Sequence, residues 1–460
     1  MNKHITLSML MSMLWTAAFA QFTTGGDGKS YSLTTLSATA GSGVTKTGSN
    51  SYLISSDITI AAGDHFSITD DYSDGLTVCF GDKVTLTVEG ASTLCPPDEA
   101  AESVTFTRSG ASDVPYGVRL EGGGTGEQVL LKGIRFEYLG LMNYSLSDVA
   151  IDGCEFYRHN GAQSGALYLA STTAQTTVSG CTFSLCSKAA IGGAANYSCL
   201  LRVYDSIFRQ NSQDNRNIPQ LNLTASQQII VDGCLIEGDP TKTMVGGIGV
   251  SNFIGLTGSS LQVTGCTITD NRYGIGTVGP VEQVRIEDNT LTGNCHETNA
   301  MNGGSGISLY DPYQQTSAVI AGNHIEGSLW GVTVIGCKEV NMGRADMDDS
   351  DSRGGNVFKD NGNGGQLYDL YNNSTITVYA QKNTWNVAEQ TEEEIEKVIY
   401  HKADDASLGE VIYWPAAHES AITPVERAAT AADSYYSLGG QRLTAPAKGV
   451  SIVNGKKVVF

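Results

Sequence analysis

Charged and aromatic side chains recur just after a short apolar phrase along most of this 460-residue chain. Such a mixture suits a sugar-binding groove, because aromatic rings stack on sugar faces while charged groups hydrogen-bond to hydroxyl groups. We predict that these side chains emerge as one stacked row, comprising Tyr157, Arg158, His159, Arg209, Asn211, Glu237, Asp270, Asn271, Arg272, Tyr273, Glu326, Trp330, Lys359 and Asp360. The candidate catalytic groups in this row are Arg158, His159, Arg209, Asp270, Arg272, Glu326 and Lys359, and the candidate binding groups are Tyr157, Tyr273 and Trp330.

Two kinds of reaction would suit these residue types. A lyase needs a base near the α-proton of a uronate and a cation at its carboxylate, which Arg158, Arg209 or Lys359 with a Ca²⁺ on Asp270 or Glu326 would supply. A hydrolase needs two carboxylates facing one bond, for which Glu237, Asp270 and Glu326 are available. The simpler interpretation is that the charges only solvate the surface and the asparagines form loops.

A long acidic segment is the other candidate for chemistry. Between Arg344 and Gly355 it holds Asp346, Asp348, Asp349 and Asp351, whose oxygen atoms are ligands that Ca²⁺ prefers. The segment lacks the glycine and the terminal glutamate of an EF-hand loop, so a plain acidic loop is the competing interpretation. Ca²⁺ is the one cofactor that the sequence leaves open, and sparse histidines indicate no zinc site.

The apolar phrase predicts the elements that position these side chains. In Val149-Ala-Ile-Asp-Gly-Cys154-Glu-Phe156 the first two apolar positions are two residues apart, but the next inward residue, Cys154, follows three positions later. An alternating pattern survives such a slip only if the chain bends, and Gly or Asp before the Cys or Asn tolerates a left-handed bend. Each phrase therefore predicts two short strands around a corner.

Copies of the phrase recur at irregular intervals, which is typical of a solenoid with variable loops. We predict an all-β fold, a right-handed parallel β-helix with one coil per phrase. Its corner residues should stack as a ladder of small thiols followed by hydrogen-bonding amides, with Ile134 and Ser206 as other members: Cys154, Cys181, Cys234, Cys266, Asn289, Asn323, Asn356 and Asn383.

The chain ends differ in composition from the repeats. Residues 1–20 are typical of a secretory signal peptide, 21–59 of an N-terminal cap region, 60–415 of the β-helix with its C-terminal cap, and 416–433 of a linker. Residues 434–460 form a separate tail, in which Asn454-Gly455 predicts a hairpin. The signal peptide predicts an exported protein, and no later segment is apolar enough to span a membrane.

The net charge limits the binding partners that the chain can have, and the cysteines limit its possible disulfides. With 28 Lys and Arg against 48 Asp and Glu the formal charge is −20, which argues against nucleic acid and against unaided binding of anionic polymers. Ten cysteines in an exported chain permit disulfides. The pairs left open outside the ladder are Cys79–Cys95, Cys186–Cys199 and Cys295–Cys337.

Two resemblances follow from these motifs. The body resembles the right-handed β-helix repeat proteins of the pectate-lyase-like superfamily, which implies either an enzyme acting on uronic-acid polymers and glycans or an adhesin. The tail, with Ser437-Leu-Gly-Gly-Gln-Arg and Lys448-Gly-Val-Ser-Ile-Val-Asn-Gly-Lys-Lys-Val, resembles C-terminal sorting signals of the Bacteroidetes type IX (Por) secretion system. That resemblance implies the outer-membrane secretion machinery as a partner and delivery to the cell surface or medium.

The polygalacturonase-like catalytic blocks are missing from the sequence, apart from isolated Asp-Asp pairs. The leading hypothesis is therefore a secreted or surface-attached protein that binds a polysaccharide or another surface without a recognisable active site. The alternative is a polysaccharide lyase or glycoside hydrolase acting in a groove along the β-helix. A stalk or adhesin with no small ligand is the third hypothesis.

Overall fold

The computed structural model describes residues 21–71, 75–90, 92–94, 104–124, 127–170, 174–194, 197 and 200–417, and the backbone of four short strands in the tail. The predicted signal peptide, nearly all of the linker, and Cys95 and Cys199 lie outside these residues. Two compact units are present, Met1–Ala416 and Ala417–Phe460.

The first unit is a right-handed parallel β-helix, as the sequence predicted. Every full coil contributes one strand to each of three long sheets, in the order third sheet, second sheet, first sheet. The coil that begins at Asp148–Asp152, for example, continues through Glu155–Tyr157 to Gly165–Leu169. Only the two-residue corner Gly153-Cys154 separates its first two strands, whereas longer loops lead to the first sheet.

Neighbouring strands within each sheet follow one another in chain order, one coil after the next. The first sheet contains Phe22–Thr23, Ile58–Ile60, Thr85–Glu89, Gly117–Gly122, Gly140–Ser145, Gly165–Leu169, Ala189–Gly193, Leu221–Thr224, Ile248–Ser251, Ile275–Val278, Ser305–Asp311, Trp330–Gly336, Leu370–Asn372 and Ile399–Tyr400. The second sheet contains Val44–Gly48, Ser51–Ile54, Thr77–Phe80, Val104–Arg108, Ile134–Glu137, Glu155–Tyr157, Thr182–Ser184, Ile207–Arg209, Leu235–Glu237, Thr267–Thr269, Thr290–Thr292, His324–Glu326 and Val357–Lys359. The third sheet contains Ser92–Leu94, Gln128–Lys132, Asp148–Asp152, Gln175–Ser179, Leu200–Tyr204, Ile229–Asp232, Ser260–Thr264, Gln283–Glu287, Ser317–Ala321, Glu339–Asn341, Val378–Tyr379 and Val411–Ile412.

Smaller elements complete the described residues. Two two-stranded pairs join Ser30–Tyr31 to His65–Phe66 and Gly362–Asn363 to Gln366–Leu367. The helices are Leu33–Ala38 and Glu392–Glu396, with 3₁₀ turns at Thr69–Asp71, Ala300–Asn302 and Ser350–Ser352. The second unit pairs Tyr435–Tyr436, Arg442–Leu443, Val450–Val453 and Lys456–Val459 antiparallel, which places a hairpin at the predicted position.

The predicted bend at the corner between the third and second sheets is confirmed. The residue before each ladder member has a positive φ, for example 57° at Gly153, 47° at Asp205 and 57° at Asp288. That left-handed conformation is accessible to Gly and tolerated by Asp, which accounts for the residue types at this position.

Apart from Ile134, the ladder residues share one property, a short side chain that accepts a hydrogen bond. The corner leaves the backbone N–H of each ladder residue without a strand partner, and the side chain of the next coil's ladder residue accepts it. Cys154 N–H donates to Cys181 Sγ at 3.4 Å, Cys181 N–H to Ser206 Oγ at 3.1 Å and Cys266 N–H to Asn289 Oδ1 at 2.9 Å. The thiols, which we expected to be apolar fillers, therefore act as acceptors; they are free and buried.

A second ladder, which we did not predict, lines the next corner. Its members follow the first ladder by five residues and are almost fully buried, comprising Leu139, His159, Cys186, Asn211, Asn271, Asn294, Ser328 and Asn361. The residue before a member again has a positive φ, as at Arg158, Leu185 and Asp270. Cys186 N–H donates to Asn211 Oδ1 at 3.2 Å and Ser328 N–H to Asn361 Oδ1 at 3.1 Å, so both corners use the same device.

The core between the sheets is apolar and closed at both ends. Phe106, Phe136, Phe156, Phe183 and Phe208 stack along the axis with ring centroids 4.5–5.6 Å apart. Helix Leu33–Ala38 buries Leu33 and Leu36 at one end. At the other end helix Glu392–Glu396 buries Ile395, and Trp385 stacks on Phe358 at 5.0 Å. These short helices prevent the exposure of terminal core faces.

Substitution at one rung tests the ladder. We expect Asn323→Leu to lower the free energy of unfolding by about 2–5 kcal/mol, because it leaves the Asn289 N–H buried without an acceptor and removes the bond that Asn323 Nδ2 donates to the Ile286 carbonyl. Asn323→Ser should cost less, since Ser206 shows that a hydroxyl can accept this bond. Urea denaturation measures all three proteins, with exposed Asn373→Leu as the control. Equal stability of Asn323→Leu and the control would contradict the role of the ladder.

Candidate functional site

A groove crosses the outer face of the first sheet. Its floor is made of small residues in register on four neighbouring strands, Asn222, Gly249, Gly276 and Ser308. Because glycine carries no side chain, room remains above this floor for a cavity of about 540 Å³.

Tyr273 lies across this floor from the loop that enters the strand Ile275–Val278. A Cβ atom built on Gly246 would come within 2.2 Å of Tyr273 Cζ, and one on Gly249 within 2.9 Å of its Oη. The ring therefore fits only because these positions are glycine. Burial raises the pKa of Tyr273 to about 12, so the side chain is a neutral O–H donor at physiological pH.

Arg272 forms one wall of the groove and is the residue with the most unusual electrostatics. Only 9% of it is exposed, yet it makes no ion pair within 4.0 Å among the residues that the structure describes. Its Nη1 donates to Asn217 Oδ1 at 2.6 Å and its Nη2 donates to the carbonyl of Asn302, while Nε has no partner within the same residues. The largely buried Arg272 guanidinium therefore donates its hydrogen bonds to uncharged oxygen atoms.

An interruption of the second ladder precedes these two residues. Gly238 stands where a neighbouring coil would begin the corner, and a Cβ there would come within 1.9 Å of the Asp270 carbonyl oxygen. Buried Gln220 bridges the gap, since its Oε1 accepts from Asn211 Nδ2 at 3.0 Å and its Nε2 donates to Asn271 Oδ1 at 3.0 Å. Asn271 is fixed in this way, and Arg272 and Tyr273 follow it directly into the groove.

The rim carries exposed apolar side chains. Phe253 is 75% exposed, Met301 88% and Tyr310 41%, and all three line the cavity. Clustered exposure of large apolar groups beside a groove marks a binding surface.

An aromatic cluster lies farther along the same face, formed by Trp330, Tyr368, Tyr371 and Tyr400. Ring centroids are 4.7 Å apart for Trp330 and Tyr368, 5.0 Å for Trp330 and Tyr371, and 4.8 Å for Tyr371 and Tyr400. Trp330 Nε1 donates to the Ala300 carbonyl at 3.0 Å, next to Asn302 of the groove wall. All four residues are partly exposed.

The predicted row of side chains is divided among three places. Its members Tyr157, Arg209, Glu237, Glu326 and Lys359 do stack in register, but on the outer face of the second sheet. There Arg209 pairs with Glu237 at 2.9 Å and Lys359 with Glu326 at 2.6 Å. Hydrogen bonds with His324 and Lys359 lower the pKa of Glu326. These charges satisfy one another and do not line the groove.

The other members lie at the corner or beyond it. Arg158 and Asp270 are positive-φ corner residues on the surface, where Arg158 lies 5.0 Å from the Tyr157 ring and Asp270 contacts His296 at 3.4 Å. His159, a predicted catalytic candidate, is fully buried as a rung of the second ladder and does not line the groove. Asn211 and Asn271 are rungs as well. Of the row, only Arg272 and Tyr273 line the groove, and Trp330 belongs to the neighbouring cluster.

The acidic segment does not gather its carboxylates. Asp346 pairs with Arg344 at 2.8 Å, Asp351 with Arg285 at 2.9 Å, and Asp349 caps the turn Ser350–Ser352. No group of three or more His, Cys, Asp or Glu side chains suited to a metal occurs in the described part of the chain, which includes Asp348. The Ca²⁺ site that the sequence left open on this loop is thus not assembled. Cys295 and Cys337 are likewise free, as are Cys79 and Cys186.

Comparisons with known proteins carry no argument about this chain. No family model matches the chain, and no curated protein is similar to it. Two crystal structures of the periplasmic alginate epimerase AlgG, one of them a point mutant, align over 85% and 84% of this chain and 81% of theirs. Identity is 12% and 10%, with TM-scores of 0.37 and 0.34, so this similarity carries no argument about function. Among the described helices none is long and apolar enough to cross a membrane.

The sequence contained a signal for the second ladder that we did not use. Counting five residues on from each first-ladder position gives Leu, His, Cys, Asn, Asn, Asn, Ser and Asn, and only the Cys234 and Asn383 copies fail, which separates rungs from surface residues. The groove had a weaker signal, the glycines of Gly246-Gly-Ile-Gly249 and Gly274-Ile-Gly276 in consecutive copies.

The burial of His159 predicts acid sensitivity. Burial first, and the nearby Lys188 second, lower its pKa from 6.5 to about 4. Between these two pH values the unfolded chain binds one proton more than the folded chain, so stability is complete above pH 6.5 and falls toward pH 4 by about 2–3 kcal/mol. His159→Leu, which copies Leu139 of the preceding coil, should remove this loss. Urea midpoints at pH 7 and pH 4.5 measure it, with exposed His65→Leu as the control; an unchanged pH dependence in His159→Leu would refute the assignment.

Proposed function

We propose that this protein binds an acidic polysaccharide, whose sugar units carry carboxylates, in the groove on the outer face of the first sheet. The observation that carries this proposal is the Arg272 guanidinium, buried in the groove wall with no counter-ion in the part of the chain that the structure describes. Burial of an unpaired charge is costly, and a carboxylate placed beside it forms a charge-assisted hydrogen bond that offsets the cost.

The remaining groove chemistry suits sugars. The Tyr273 hydroxyl and the Asn222 amide offer hydrogen bonds, and the exposed rings of Phe253 and Tyr310 offer apolar faces. A sugar ring has both a polar rim and apolar C–H faces, so this combination can fix its orientation.

Binding fits the groove better than catalysis. Among the described residues, those that line it include neither a carboxylate nor an imidazole, and a hydrolase of the usual type needs two carboxyl groups at the scissile bond. Tyr273, with a pKa of about 12, keeps its proton at neutral pH and so is not available there as a general base. The polysaccharide-binding hypothesis is therefore preferred to the enzyme.

Replacing Arg272 tests the proposal. We expect Arg272→Met to weaken binding of oligogalacturonate about 10- to 100-fold, because a charge-assisted bond is worth about 1.5–3 kcal/mol, while any binding of a neutral cello-oligosaccharide is unchanged. Calorimetric titration measures both. Without ligand the variant should be at least as stable as the wild type, since removal of an uncompensated charge is not destabilising.

Arg209→Met provides the matched control, because it removes the same charge from the second sheet. Equal affinities for Arg272→Met and Arg209→Met would contradict the assignment of the groove. Release of unsaturated or new reducing ends from polyuronates by the wild type would favour the enzyme instead.

The sequence signals at both ends support a second part of the proposal, delivery to the cell surface. We expect deletion of residues 435–460 to leave the protein in the periplasm, because the tail would no longer engage the outer-membrane machinery. Fractionation of cells expressing the full and truncated chains measures this. Unchanged surface delivery of the truncated chain would refute a sorting role.

A further inference from the structure

The aromatic cluster is the largest group of side chains outside the groove that the proposed function does not use. Packed rings usually belong to a core, yet these four lie on the outer face of a sheet and keep part of their surface open to solvent. In the core, by contrast, the stacked pair Phe358 and Trp385 is buried.

The register of the first sheet aligns this cluster with the groove. Ser305 of the groove pairs with Trp330, and Thr333 pairs with Tyr371. Continuing the pairing of Ile275 with Ile307 backward by two residues places Tyr273 opposite Ser305. Tyr273, Ser305, Trp330 and Tyr368 therefore follow one line parallel to the helix axis.

The distance between the groove and the aromatic cluster limits which ligands can contact both. Coils are about 4.8 Å apart, so roughly 10 Å separates the Tyr273 strand position from that of Trp330, and roughly 14 Å from that of Tyr368. The loop Ala300–Asn302 joins the two places physically, since Asn302 accepts from Arg272 and Ala300 accepts from Trp330. A ligand held by Arg272 reaches the cluster only if it is an extended chain.

We infer that the aromatic cluster is a distal subsite of the groove, on which sugar rings of the same polysaccharide stack beyond the unit held by Arg272. This inference rests on the proposed function and adds the length and direction of the ligand. Trp330 and Tyr371 offer the stacking faces, and the ligand runs along the helix axis toward the C-terminal cap.

Oligogalacturonates of defined length, a dimer and an octamer, test the subsite by calorimetry. The wild type should bind the octamer more tightly than the dimer. Trp330→Ala and Tyr371→Ala should each weaken octamer binding roughly three- to tenfold and leave dimer binding unchanged, because only the octamer reaches the rings. Tyr379→Ala, which removes a ring from the third sheet, should change neither.

Tryptophan fluorescence gives an independent measurement on folded protein. The octamer, but not the dimer, should change the emission, and Trp330→Phe should abolish that change while Trp414→Phe, an exposed tryptophan elsewhere, retains it. Equal effects of the Trp330 and Tyr371 substitutions on both lengths, or no effect on either, would overturn the subsite. A different result would contradict the proposed function: Arg272→Met would bind the dimer as tightly as the wild type does.

Discussion

The solenoid depends on one kind of hydrogen bond, repeated along the two corners that flank the second sheet. A left-handed residue turns the chain from one sheet to the next and leaves a backbone N–H pointing along the axis with no strand to pair with. A short acceptor on the following coil takes that proton, whether it is a thiol, a hydroxyl or an amide oxygen. Since an unpaired buried N–H costs about as much as a sizeable part of a domain's net stability, the corner restricts the sequence more tightly than the strands do.

This constraint explains how far the sequence could predict the structure. The parity slip in each phrase indicated the bend, and the recurrent Cys and Asn indicated the stacking of coils. The sequence pattern did not reveal the second corner, because its rungs are of mixed types, among them Leu139, His159, Cys186 and Asn271, although each follows its first-ladder residue by five positions. Counting from the first ladder, rather than between phrases, would have placed these residues inside.

The site was harder to predict because it depends on which sheet of the β-helix each side chain projects from. Arg209 and Glu326 follow their first-ladder residues by three positions, end on the second sheet and pair with neighbours, whereas Arg272 follows Cys266 by six positions and lies beyond the second corner. Arg272 enters the groove beside an interruption of the second ladder at Gly238, where Gln220 of the preceding coil bridges Asn211 and Asn271. The interruption and the glycine floor both depend on how strands of different coils align. Counting charged residues along the sequence therefore does not show which of them enter the groove.

The overall charge of −20 and the buried Arg272 have opposite effects on an acidic ligand. The net negative charge of the protein repels an approaching polyanion at long range, whereas the Arg272 guanidinium stabilises only a carboxylate that enters the groove. Selectivity then arises from contact rather than from attraction at a distance. Such an arrangement favours long ligands, because several subsites must together offset the repulsion.

Polysaccharide binding in the groove is tested most directly by finding which sheet the ligand covers. Amide hydrogen exchange measured with and without an oligogalacturonate octamer compares the sheets within one molecule. We predict slower exchange in the segments 217–223, 271–279 and 300–310, with no change in Thr267–Thr269 and Thr290–Thr292 of the second sheet. Protection confined to the second or third sheet would contradict binding in the groove.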